Sequence, residues 1–151
     1  MLVAACACAP VGARAQALPS TFGPTIGSAL LCRSHLDNVY FHSYLTTAFG
    51  PAYKHEGGAY WFKLDATLWG KPVKEVMVSD DTSELVFVAA VAESKPEELE
   101  EAIRASAGIR YRAVDGSPFP LRVSNPGSVI AYQNSKSKIY CARYKPLPPG
   151  R

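Results

Sequence analysis

The chain has 151 residues, 48% of them hydrophobic, with 16 Lys and Arg against 13 Asp and Glu and a formal net charge of +3. That length fits one domain able to bury a real core. The charge is too mild to imply a nucleic-acid partner.

Residues 1–17 are small and apolar and contain no acid. Ala15-Gln16-Ala17 fits the small-x-small cleavage pattern of a secretory signal. This predicts a signal segment at 1–17, a single domain at 18–145 and a flexible Pro-rich tail at 146–151. A competing pattern, Val3-Ala4-Ala5-Cys6, resembles a bacterial lipobox in which Cys6 would be acylated. Without 1–17 only Arg14 is lost among the charges, leaving 15 basic residues against 13 acidic. The longest apolar run beyond it, Leu85–Ala92, is too short to span a bilayer. The chain is therefore expected in the periplasm or outside the cell, or held at a membrane by a lipid on Cys6.

Two cysteines remain beyond residue 17, Cys32 and Cys141. In an oxidising compartment an even count without metal spacing predicts a disulfide. Two buried free thiols are the alternative.

In chain order, 18–27 reads as an irregular lead-in. Ser28 caps a helix predicted to run to Ala48, with Ala29, Cys32, Leu36, Val39, Tyr40 and Ser43 at three- and four-residue spacing. Gly50-Pro51 ends it, and a loop follows through Gly57-Gly58. Three strands come next: Ala59–Leu68, Val73–Ser79 and Glu84–Ala92, the last apolar on both faces and so central. Ser94-Lys95-Pro96-Glu97 has the form of a capping box opening a second helix. Its four glutamates in five residues suit the positive end of the helix dipole, and Leu99, Ala102, Ile103 and Ala107 form its buried stripe. Gly108 is the left-handed stop. Four further strand-like runs follow at Ile109–Val114, Phe119–Ser124, Ser128–Asn134 and Lys138–Tyr144.

The order helix, three strands, helix, three or four strands predicts an α+β two-layer domain, an antiparallel meander sheet with two helices on one face. The two halves share a pattern without evident residue identity. Bacterial envelope modules with tandem helix-plus-meander units, such as β-lactamase-inhibitor-like domains, look similar in outline, though no motif ties the chain to a named family.

Period-two alternation then divides the side chains. Cys141 toward the helices carries Ile139 and Arg143 with it and sends Tyr140, Ala142 and Tyr144 to the open face. Tyr60, Phe62 and Leu64 go in; Trp61, Lys63 and Asp65 go out. Ile109, Tyr111 and Ala113 go in, with Arg110 and Arg112 out. Phe119, Leu121 and Val123 go in, with Arg122 out. For the run at Ser128–Asn134, Val129 and Ala131 compete with Ile130 and Tyr132 for the inner face. The predicted open face carries Trp61, Lys63, Arg110, Arg112, Arg122, Tyr140 and Tyr144, residue types enriched at binding hot spots. Such a face suits another protein or an acidic envelope component, a glycan included. The same residues would equally serve a solvated sheet face or a homodimer stacked through it.

Catalytic and cofactor patterns are absent from the sequence. His35 and His42 stand about 10.5 Å apart along a helix, too far to share one ion. There is no nucleophile elbow and no phosphate loop. His55-Glu56 in the Gly-rich loop is the one place where a small hydrolase site could sit. The expectation is a small exported, non-enzymatic binding protein of the bacterial envelope, an inhibitor, immunity protein or accessory module. A secreted hydrolase acting near His55–Gly58 and a lipid-anchored structural component are the alternatives.

Overall fold

The computed structural model describes residues 18–146. The expected signal segment at 1–17, the alternative lipobox reading at Cys6 and the last five residues of the expected tail lie outside the described residues. The strands are β1 (Lys54–Glu56), β2 (Ala59–Leu68), β3 (Lys71–Ser79), β4 (Leu85–Ala92), β5 (Tyr111–Ala113), β6 (Arg122–Ser124), β7 (Val129–Gln133) and β8 (Lys136–Tyr144). They form one antiparallel sheet in the order β1-β2-β3-β4-β8-β7-β6-β5. The chain is thus two helix-plus-four-strand units, each a meander whose last strand lies at the centre, with β4 pairing β8 along the seam. The helices are α1 (Ser28–Leu30), α2 (Asn38–Phe49) and α3 (Pro96–Ala107).

All three helices cover one face. Phe22, Ile26 and Leu30 from the first unit and Leu99 and Ile103 from α3 are fully buried against Val76, Val78, Val88, Ala90, Ile130 and Ile139. This is the predicted two-layer α+β arrangement.

The disulfide is present. Cys32 and Cys141 are bonded with their Cα atoms 5.5 Å apart, and Cys141 is fully buried on the helix side. It joins the first unit to the last strand of the second.

The first helix departs from its predicted course. Helical structure begins earlier, as a π-helical turn over Gly23–Gly27 running into α1. It then breaks: Cys32 adopts a left-handed φ of 58°, and α2 starts only at Asn38. Asp37 is the true cap, its carboxylate accepting from the Tyr40 backbone N–H at 3.0 Å. An Asx cap competes well with continued helix, and Cys32, in the break, is held to β8 by the bridge. Val39 and Tyr40, expected on the buried stripe, are exposed; Phe41 and Leu45 are buried instead.

The capping box is also not formed. Lys95 is the cap of α3, with Pro96 opening the first turn. Ser94 Oγ is buried without a hydrogen-bond partner among the described residues. Proline at the first helical position moves the cap one residue along, so Glu97 is free to reach Tyr132 and Arg122. The helix does stop at Gly108, whose φ is 71°. Its C-terminal carbonyl at Ala107 accepts from Arg33 Nη2 at 2.9 Å.

Candidate binding face

Directly paired residues in an antiparallel ladder point to the same face. Following the register from edge to edge gives one row on the side opposite the helices. It runs Lys54, Trp61, Met77, Ala89, Tyr140, Val129, Val123 and Arg112, one residue from each strand. At about 4.8 Å between strands the row is roughly 34 Å long. Its middle six positions are apolar or aromatic and its two ends are cationic.

This face is better packed than an ordinary wet sheet. Ala59, Met77, Ala89 and Val91 are buried on it beneath Trp61, Phe87 and Tyr140, forming a second, smaller apolar cluster. Trp61 lies down over the sheet: its indole N–H donates to the Glu56 carbonyl at 3.1 Å, and Lys54 Nζ sits 3.9 Å from the ring. One row along, Lys63 faces Glu75, followed by Val91, Lys138 and Ala131. Glu75 accepts from the Tyr53 hydroxyl, and partial burial with that carboxylate pushes the Tyr53 phenol up to about 12. Bulges in β2 between Lys63 and Ala66 and in β3 between Val73 and Glu75 twist the end of the sheet. Such irregularities re-aim side chains. Here they leave a cleft lined by Lys63, Asp65, Lys74 and Glu75 with Glu93 and Lys136 across it. Two ion pairs, Lys74 with Asp65 and Lys136 with Glu93, neutralise part of that cleft.

Of the seven residues predicted for this face, Trp61, Lys63, Arg112, Tyr140 and Tyr144 stand on it. Tyr144 is 78% exposed opposite Leu85 at its far end. Arg110 precedes β5 and lies in a cleft with Glu100, Glu101 and Arg104 of α3, off the central row.

Arg122 is on the other side. It pairs with Ile130, which pairs with the buried Ile139, and its guanidinium donates to Glu100 at 2.6 Å and to Glu97 at 3.2 Å. Val123 is the outward residue. Phe119 and Leu121, expected inside, are 70% and 43% exposed. The apolar alternation Phe119-Leu121-Val123 does not mark the inner face because Pro118 and Pro120 cannot donate to a ladder, so the pairing with β5 extends no further than the Val114 N–H to Leu121 carbonyl bond and β6 begins at Arg122. The register is set by β7, which places Ile130 and Tyr132 inward.

Strand β1 lies where the sequence predicts a loop. Its three polar residues carry no apolar alternation, and Gly57 and Gly58, with φ of 62° and 74°, make the tight hairpin turn that joins it to β2. The hairpin carries the second candidate cluster. His55 Nε2 lies 2.8 Å from Asp80 Oδ2 and its ring stacks on Tyr60 at 4.2 Å. Tyr60 is also 4.2 Å from His42. Asp80 Oδ1 accepts from the Thr82 backbone N–H at 2.9 Å and from its hydroxyl, and these bonds, with His55, hold the carboxyl below the usual range. Asn38 donates to the Ser79 carbonyl and to Asp81, tying α2 to the same turn. A base oriented by a carboxylate is half of a hydrolytic site. The nearby Thr82 hydroxyl is engaged by Asp80 and not by His55. Among the described residues no group of three or more metal-ligating side chains converges, and no helix is long and apolar enough to cross a membrane.

No family model matches the chain, and neither a curated protein nor a solved structure matches it significantly.

Proposed function

We propose that this is a small exported protein of the bacterial envelope that acts by binding a partner protein through the open face of its sheet. The observation that carries this reading is the eight-residue row from Lys54 to Arg112. It is apolar through its centre, where half-buried Trp61, Tyr140, Val129 and Val123 are its accessible part around buried Met77 and Ala89, it is cationic at both ends, and no helix of the described chain packs on it. Soluble monomers rarely leave a broad contiguous apolar surface uncovered unless it meets something. A central apolar area with a polar rim is the anatomy of a specific interface. Export is supported by the Cys32–Cys141 bridge, since such bonds persist in oxidising compartments. Within this reading the inhibitor, immunity and accessory roles differ only in the partner.

A photo-crosslinking residue at Ala142 or Val129, on the open face, should trap a discrete adduct in the native envelope or secreted fraction. The same residue at Val39, exposed on α2, should not. Adducts from Val39 alone, or none from the sheet positions, would reject the reading. The hydrolase alternative rests on the His55–Asp80 contact. It requires His55→Ala to abolish turnover of an ester or amide panel by the purified protein.

A further inference from the structure

On the seam between the two units, Phe87 faces Ala142 and Ala89 faces Tyr140. Large and small residues therefore alternate on the diagonal. The two alanines leave a slot walled by Leu85, Phe87 and Tyr140, and Lys138 is the one charged side chain that lines it. The ladder partners of Lys138 are Val91 and Ala131, neither of which can neutralise it. Glu75, the carboxylate in its row, stands two strands away and is held by the Tyr53 hydroxyl. Among the described residues Lys138, Lys63 and Arg112 form no ion pair, whereas Lys54, Lys74, Lys136 and Arg122 do.

We propose that this slot receives a protein segment carrying an apolar side chain and a carboxylate close together. The apolar side chain seats over Ala89 and Ala142 between Phe87 and Tyr140, and the carboxylate meets Lys138. The inference rests on the open-face reading and adds the chemistry of the partner. An anchor residue in a desolvated pocket beside a complementary charge is how interface hot spots are built. Charge also argues against a second copy of this chain as the occupant. A two-fold stack whose axis runs along the β4–β8 seam would bring the two Lys138 ammonium groups toward each other over an apolar surface, where like charges are poorly screened.

The test uses the exported chain, panned against a library of displayed hairpin-constrained random peptides. Recovered sequences should place Asp or Glu within about two residues of Phe, Tyr, Trp, Leu or Ile, the reach of one cross-strand neighbour. Synthetic versions should bind the Ala142→Trp variant, whose slot is filled, at least about tenfold more weakly than wild type. Lys138→Glu should weaken them by a similar factor, and peptides with the acid changed to Lys should regain binding to that variant. Circular dichroism and thermal melting check that both variants fold. If binders lack an acid and ignore Lys138→Glu but are lost with Ala142→Trp, the carboxylate assignment is overturned and the open-face reading stands. If no binder distinguishes wild type from Ala142→Trp, both fall. A dimer in sedimentation that Ala142→Trp dissolves, or retention on anionic phospholipid vesicles that it abolishes, assigns the slot to another occupant and overturns the inference.

Discussion

Cys32 and Cys141 are bonded across the two units, one in the break between α1 and α2 and the other on β8, whose neighbour β4 closes the first unit. Their separation in sequence is 109 residues, so the bridge restricts nearly the whole unfolded domain. The chain-entropy model assigns such a loop roughly 4–5 kcal/mol. The Cys32→Ser, Cys141→Ala variant should lose about that much in urea unfolding. A loss under about 1 kcal/mol would mean that packing along the β4–β8 seam, and not the bridge, holds the units together.

Trp61 and Tyr144 are both aromatic and both on the open face, yet they should behave differently. Trp61 covers Met77 and Ala59 and is pinned by Glu56 and Lys54, whereas Tyr144 is mostly in solvent. Trp61→Ala should cost about 2 kcal/mol, part of what a fully buried Trp is worth. Tyr144→Ala should stay within about 0.5 kcal/mol. Equal small losses would show that the apolar cluster on this face contributes little and that its aromatic layer is free to rearrange on binding.

The sheet and its faces were legible wherever a strand carried its own period. Ala59–Leu68 is bounded as its alternation predicts, and Cys141 oriented β8 correctly, with Ile139 in and Tyr140 out. The pattern failed where tertiary pairing outweighs it. Nothing in Lys54-His55-Glu56 marks a strand, because a polar edge strand has no buried face to advertise; its signal was the Gly57-Gly58 turn. The Phe119-Leu121-Val123 alternation is real but Pro-interrupted, and the pairing of Arg122 with Ile130 decides its face. The slot over Ala89 and Ala142 was invisible in the sequence. It depends on the β4–β8 register, which brings together residues more than 50 positions apart.

Arg122 and Arg112 separate a structural arginine from a surface one. The Arg122 side chain is 18% exposed and bonds two carboxylates of α3; Arg112 is exposed on the open face. Arg122→Ala should cost roughly 1.5–3 kcal/mol, the range for hydrogen bonds to charged groups. It would leave Glu100, itself only partly exposed, without its cation. A double-mutant cycle with Glu100→Ala should recover much of that loss as coupling. Arg112→Ala should leave the unfolding midpoint nearly unchanged and act only on the binding proposed for the open face.

Asp80 ties the β1–β2 hairpin to the turn after β3. Its carboxyl is held below the usual range, first by the Thr82 hydroxyl, then by the Thr82 backbone N–H and then by His55. A carboxylate whose pKa is lower folded than unfolded stabilises the fold most above the unfolded value, about 3.9. That contribution fades as the pH falls through the lower folded value, because the protonated acid gives up the bonds that favour the charged form. Asp80→Asn should therefore lower the urea midpoint at about pH 7, and the gap from wild type should shrink at about pH 2.5. Asp81, held down by Asn38 and Lys145 in the same turn, gives its own loss of the same sign, so the two are compared as single variants. His55→Ala should reproduce only part of the Asp80→Asn effect, since both Thr82 bonds remain. A gap that stays constant or widens on acidification would show that Asp80 acts through packing of the turn and not through its charge.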